Sequence, residues 1–138
     1  MNLVDSISEA IAREEGFYTP GTIAARNHNP GNLRSWGSRP IVDGYAAFPT
    51  DADGWQALRV QVTKNINRGL TLTEFFVGKP GVYAGYSPAA DRNRPLEYAQ
   101  FVAGVVGLPL DVPLNLLDGS SPPFPRTAPK TPRRATGA

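Results

Sequence analysis

Two neighbouring carboxylates, Glu14 and Glu15, close a run in which Val4, Ile7 and Ile11 recur at three- and four-residue intervals. On a helix that spacing gathers the apolar side chains on one face and turns at least one of the two acids toward it. A carboxyl group half-buried against apolar neighbours has a raised pKa, so it keeps its proton and can donate it to a leaving oxygen. Helix phase alone does not choose between Glu14 and Glu15, and glutamates near helix ends also serve as plain surface charge.

The next polar cluster is Arg26-Asn27-His28-Asn29-Pro30-Gly31-Asn32-Leu33-Arg34. Asparagine amides offer a donor and an acceptor, which suits sugar hydroxyls and acetamido groups, but Asn-Pro-Gly-Asn is also what a structural turn looks like. His28 has the chemistry of a base, yet a single histidine in a polar loop is usually just exposed, and it stays outside the catalytic set. Aromatic residues follow at Trp36, Tyr45, Phe48, Trp55, Tyr83, Tyr86 and Tyr98. Such rings pack against sugar faces in carbohydrate clefts. By position Phe48 and Trp55 belong to a core, whereas Tyr83, Tyr86 and Tyr98 carry hydroxyls that can reach a cleft.

The elements that must hold these groups are mostly helical. The first helix starts at Asn2 or Asp5, or at Ser6 with Glu9 in capping-box spacing, and stops at Gly16 and the Thr19-Pro20-Gly21 turn. Residues 22–49 are expected to be irregular chain and one short hairpin, with Leu33 to Trp36 as one strand, Asp43-Gly44 as a turn, and Tyr45 to Phe48 as the returning strand. A second helix is signalled by a Thr50 or Asp51 cap, by Trp55, Leu58, Val62 and Ile66 on one face, and by Gly69 beyond its end. A short third helix opens at Thr71 or Thr73 and closes at Gly78-Lys79-Pro80. The fourth opens near Asn93 with Pro95 in its first turn, buries Leu96 or Tyr98 together with Phe101, Val102 and Val105, and stops at Gly107. The fold class is therefore mainly α, with about four helices and one hairpin.

The chain has 138 residues and no cysteine, the size of one domain without disulfides or thiolate metal sites. One histidine makes a zinc site equally unexpected, and no cofactor motif is present. Residues 119–138 hold four of the fourteen basic residues and none of the twelve acids, which leaves residues 1–118 at a net −2. The basic character thus belongs to a Pro-rich end segment with too little apolar surface to fold, expected as a disordered tail behind a folded domain of residues 1–118. A nearly neutral body argues against nucleic acid as the main ligand, because phosphate binding requires clustered cations. Neither a signal peptide nor a membrane span is expected: Met1 to Asp5 is neither basic nor apolar, and no later stretch is long enough to cross a bilayer.

In order along the chain, these segments resemble the small lysozyme-like muramidases and lytic transglycosylases of phages and prophages. The resemblance is carried by Ile11-Ala12-Arg13-Glu14-Glu15-Gly16-Phe17, Arg26 to Arg34, Gly44-Tyr45-Ala46-Ala47-Phe48, Asp53-Gly54-Trp55-Gln56-Ala57-Leu58 and Gly69-Leu70-Thr71-Leu72-Thr73-Glu74, and it covers residues 1–107. Asn-Pro-Gly-Asn-Leu-Arg is its most specific block. The stretch 87–95 departs from the family's pattern at Arg92 and at Arg94-Pro95. The resemblance implies an α+β lysozyme-like fold and a catalytic glutamate that ends the first helix before a small residue, which is Glu15. It also implies a cleft walled by the Asn-Leu segment and the hairpin, and a tyrosine on a later helix, Tyr98, that helps position the acid. The substrate-side residues are then Asn29, Asn32, Arg34, Tyr45, Phe48 and Tyr98. Two carboxyl groups would make a hydrolase, for which Asp43, Asp51 and Asp53 are candidates, although a turn accounts for the first and helix capping for the others. A lone Glu15 would make a lytic transglycosylase, which is the favoured expectation. The implied substrate is the peptidoglycan glycan strand, reached by a virion-borne or lysis protein, with the tail as an attachment point for virion or delivery proteins. A non-catalytic wall-binding or virion module is the alternative, and nucleic-acid binding through the tail ranks last.

Overall fold

A computed structural model describes residues 2–86 and 94–117. The first helix, α1 (Leu3–Glu14), begins where the Asn2 side chain accepts the Asp5 N–H at 2.8 Å, and its Ile7, Ala10 and Ile11 are fully buried. Gly16, at φ +77°, then turns the chain away. A second helix of four residues, α2 (Ile23–Arg26), starts at Thr22, whose hydroxyl accepts the Ala25 N–H. The sequence predicts irregular chain here, because four residues are too few to establish a period.

One two-stranded antiparallel sheet follows, β1 (Ile41–Val42) and β2 (Tyr45–Ala46), with Ile41 opposite Ala46 and Val42 opposite Tyr45. The expected turn at Asp43-Gly44 is present, and both residues have positive φ. The expected first strand is not: Leu33 to Trp36 is no strand, since a two-residue turn pairs the residues immediately beside it. Leu33 keeps one link to the hairpin, accepting the Ala46 N–H at 2.9 Å.

The longest helix, α3 (Asp51–Asn67), is capped by Thr50 and buries Ala57, Leu58, Val62 and Ile66. Next, α4 (Leu72–Val77) opens with a reciprocal capping box between Thr71 and Glu74. The last helix, α5 (Pro95–Val106), has proline in its first turn and ends at Gly107 in the left-handed region. A 3-10 turn at Leu114–Leu116 places Leu114 in the core. The buried face of α5 is Tyr98, Ala99, Val102 and Ala103, whereas Leu96, Phe101 and Val105, all expected as candidates for burial, are exposed. Small residues weigh little in an apolar pattern, yet they let neighbouring helices approach closely, so Ala99 and Ala103 set the phase.

Helices α1, α3, α4 and α5 surround one core that includes Ile7, Ile11, Leu58, Val62, Phe75, Phe76, Tyr98 and Val102. A smaller cluster of Leu33, Ala46, Phe48 and Ala57 lies under the hairpin. The two regions meet at Gly54: a Cβ there would stand 2.0 Å from the His28 carbonyl oxygen and 2.8 Å from Pro30 Cδ. Among the described residues, no helix is long and apolar enough to cross a membrane. The expected tail at 119–138, its boundary at residue 118 and the divergent residues 87–93 lie outside the described residues.

Candidate active site

Glu15 is the first residue past α1, and its N–H still bonds the Ile11 carbonyl at 2.9 Å. This position separates the two acids. Glu14 is exposed, whereas the half-buried Glu15 sends its carboxylate into a groove of about 220 Å³. There Oε2 accepts the Tyr98 hydroxyl at 2.7 Å and Oε1 accepts Asn32 Nδ2 at 3.3 Å. Burial raises the pKa of Glu15 above the ordinary 4.5. The Tyr98 and Asn32 hydrogen bonds pull it back down, Glu14 pushes it up and Arg34 pulls it down, and the net direction is upward.

Tyr98 is held from the helical side. Its ring stacks on Phe76 with centroids 4.3 Å apart, and burial together with the nearby Glu15 charge keeps its phenol protonated far above neutral pH. Asn32 is held from the loop side, at the end of the Asn-Pro-Gly-Asn turn, where its N–H bonds the Asn29 carbonyl at 2.9 Å and its φ is +49°. Asparagine tolerates that left-handed backbone better than most residues. The middle of the turn lies against the core: a Cβ on Gly31 would stand 2.6 Å from the Tyr86 hydroxyl, which itself donates to the Gly31 carbonyl.

The loop's other two asparagines serve the backbone. Asn29, expected at the substrate, is fully buried. Its Nδ2 donates to the carbonyls of Leu33 (3.0 Å) and Ala46 (2.9 Å), and its Oδ1 accepts the Leu33 N–H (2.9 Å). Asn27 Nδ2 donates to the Val42 carbonyl at 2.9 Å. These amides stand in for a missing strand, so Asn29 is corrected from ligand contact to scaffold. Phe48 is corrected likewise: it is buried with Leu33, Ala46 and Ala57 and does not line the groove.

Arg34 and Tyr45 do line it, with the guanidinium carbon 4.7 Å from the centre of the Tyr45 ring. Gln61, Tyr83 and Tyr86 add to the lining, with Gln61 Nε2 donating to the Tyr83 hydroxyl at 3.4 Å. Gln61 and Ser35 were missed in the sequence. Gln61 sits one turn beyond the buried Leu58, a spacing that hints at a position beside the core without revealing a groove there.

Glu15 is the only carboxylate lining the groove among the described residues. Asp43 pairs with Arg26 at 3.4 Å, Asp51 meets His28 Nδ1 at 2.8 Å, and Asp53 accepts the Thr50 hydroxyl at 3.0 Å at the start of α3. A larger cavity of about 560 Å³ lies in the loop Val77–Ala84, but it contains no carboxylate and no paired polar side chains around a reacting position.

The arrangement can store and return a proton. Both groups that hold the Glu15 carboxyl, a phenol and an amide, are able to donate and to accept. A lysine or arginine in either place would favour only the anion. Comparison of the chain with protein-family models, with curated proteins and with solved structures finds no match.

Proposed function

We propose that this chain is a lysozyme-like enzyme that cleaves peptidoglycan glycan strands at the β-1,4 bond between N-acetylmuramic acid and N-acetylglucosamine. The observation that carries this reading is one half-buried carboxyl with a raised pKa, held by Tyr98 and Asn32 at a groove that contains no second carboxylate among the described residues. Glycosidases that hydrolyse through two carboxyl groups need the second as nucleophile or base. With Glu15 alone, a lytic transglycosylase mechanism fits better.

In that mechanism protonated Glu15 gives its proton to the glycosidic oxygen as the bond from that oxygen to the muramyl C1 breaks. The substrate's acetamido oxygen supports the cationic C1. The muramyl C6 hydroxyl oxygen then bonds to C1, its proton passes to the Glu15 carboxylate, and a 1,6-anhydro ring is left. Acid and base are one group, so its raised pKa places the proton within reach in both directions. Asn32, Arg34 and Tyr45 together with Gln61, Tyr83 and Tyr86 line the groove and provide the amides, hydroxyls and aromatic surfaces that bind sugar rings. The proposed setting is a phage virion or lysis system acting at the bacterial wall, with residues 119–138 attaching the domain to its delivery partners.

Digestion of purified peptidoglycan followed by mass spectrometry tests this reading. The expected products carry 1,6-anhydro-muramyl ends, and Glu15→Gln lowers their rate of formation by about 10²–10⁴-fold, the usual contribution of a positioned acid-base. Reducing ends would mean a hydrolase. A wild-type protein that binds the wall and releases nothing would sink the enzymatic reading in favour of a binding module.

A further inference from the structure

The Asn32 amide reaches Glu15 through its nitrogen and leaves its buried oxygen unused. Its Nδ2 donates to Glu15 Oε1, while its Oδ1 is buried with no hydrogen-bond partner. Turning the amide by half a turn about its last torsion would exchange an unpaired oxygen for an unpaired NH₂ group, so the number of hydrogen bonds would stay the same. What Glu15 presents therefore decides the orientation. A carboxylate only accepts and selects Nδ2, whereas a carboxylic acid protonated on Oε1 donates and selects Oδ1.

Tyr98 offers the competing way to accommodate that proton, on Oε2, and it is the poorer one. Its buried hydroxyl donates to Oε2; to accept a proton from Oε2 instead, it would have to aim its own hydrogen elsewhere, and it has no other hydrogen-bond partner among the described residues. Either route keeps two hydrogen bonds to the carboxyl, but the Tyr98 route leaves the phenol hydrogen unpaired in addition to Asn32 Oδ1, whereas the Asn32 route exchanges one unpaired group for another, and each buried unpaired group is costly. The other ionisable groups facing Glu15 are Glu14 beside it in the chain, Arg34 from the loop and the Tyr86 phenol. Among the described residues, the hydrogen bonds to the Glu15 carboxyl come from Tyr98 and Asn32.

We propose that the Asn32 amide turns over with the proton on Glu15, donating to the carboxylate and accepting from the carboxylic acid, so that one side chain positions Glu15 before and after proton transfer. The catalytic use of this device rests on the glycan-cleavage reading above. In that setting Oδ1 holds the acid's proton until the glycosidic oxygen replaces it, and Nδ2 takes over as the proton leaves. Asn32 is thus a positioning residue.

The test is a pH titration of the uniformly ¹³C,¹⁵N-labelled full chain by NMR. The Asn32 Cγ and Nδ2 signals are expected to move with the same midpoint as the Glu15 carboxyl carbon. Nuclear Overhauser contacts from the Asn32 amide protons to the Glu15 side chain should be present above that midpoint and lost below it. The same contacts on both sides, or Asn32 signals that ignore the midpoint, would overturn the proposal. A second measurement uses Asn32→Gly, which suits the left-handed backbone at φ +49°. An amide that serves both protonation states gives the acid most of what it gives the anion, so the net lowering it exerts on Glu15 is small and its removal raises the midpoint by no more than about a third of a unit. A fixed donor to the anion would raise it by about one unit or more on removal, and that result also overturns the proposal. Neither readout involves a glycan, so failure of the cleavage reading is seen separately, in the peptidoglycan digest.

Discussion

The helical core and the loop from Asn27 to Phe48 are stabilised in different ways, and Glu15 lies where they meet. In the core, Ile7, Leu58, Val62, Phe75, Phe76 and Val102 are fully buried, and burial of apolar area is the stabilising force. The loop has two strands of two residues each and a small apolar cluster, and its shape depends on the Asn27 and Asn29 amides bonding backbone that no sheet satisfies. The first region supplies Tyr98 and the second Asn32, one to each oxygen of the same carboxyl group. A site assembled this way depends on the seam between the regions as much as on either one.

Closing that seam is the most damaging change expected. In Gly54→Ala the new methyl would start 2.0 Å from a backbone oxygen, so the loop or α3 must move away. The expected loss is more than about 3 kcal/mol, above the usual range for overpacking because a carbonyl yields less readily than a side chain. Urea denaturation measures it. A variant of near wild-type stability would show that the two regions are not in contact at Gly54.

Asn29→Ala removes the loop's internal support and leaves the helices alone. Three hydrogen bonds vanish, and the Leu33 N–H is left without its acceptor. A loss of about 3 kcal/mol is expected, roughly one per bond. Hydrogen exchange should locate it, with protection falling at Leu33 and Ala46 and holding at Leu58 and Val62. Uniform loss across the chain would mean that the loop and the core unfold as one unit.

The contrast also explains how much was legible in the sequence. Helices α1 and α3 follow from apolar periodicity, because side chains that bury area repeat with the helix, and the bounds of α4 and α5 from their start and stop residues, with Asn2, Thr50 and Thr71 among the expected caps; the face that α5 buries differs from the one its apolar spacing gives. The loop has no period. Its turn residues at Asp43-Gly44 are readable, but Ile41–Val42 as the partner strand is not, and nothing in Asn29 or Asn32 says that one bonds backbone while the other reaches an acid. That division depends on the direction the chain takes through Pro30 and Gly31. Spacing alone leaves Glu14 and Glu15 both open; resemblance to a family favours Glu15, and burial separates the two. Gln61 is not readable as a groove residue, since the groove joins the loop to chain distant in sequence.

Tyr98→Phe cuts the core's link to the acid while keeping the ring that stacks on Phe76. At neutral pH the loss is expected to be about 2 kcal/mol, the range for a hydrogen bond to a charged group. Its sign with pH follows from Glu15. The folded-state pKa is already above 4.5, and losing a donor raises it further. Ionised Glu15 therefore opposes folding more strongly in the variant, so the deficit is smallest below about pH 4.5, where the acid is neutral in both folded and unfolded chains, and grows as pH rises through the folded pKa. Denaturation midpoints followed from acid to neutral pH measure it. A deficit independent of pH would mean that Tyr98 contributes packing alone. In the peptidoglycan digest the alkaline limb of the rate, where Glu15 loses the proton it must donate, should move to higher pH.

The smallest effect sharpens the boundary of the core itself. Apolar spacing assigned Phe101 and Val105 to the interior of α5, while the structure leaves them 36% and 42% exposed and turns Ala99 and Val102 inward. If the inward face is chosen by the close approach that alanines permit, Phe101→Gln removes little that folding depends on, and its stability stays within about 0.5 kcal/mol of wild type. The same substitution at a buried phenylalanine costs several times more, because an apolar ring leaves the core and an amide enters it without partners. A measured loss above about 2 kcal/mol at Phe101 would mean that the outer face of α5 is covered in solution, and the helix would then be apolar on both sides for a reason. Within the expected range, α5 owes its place to one face, and Tyr98 on that face is set by Phe76 and the two alanines.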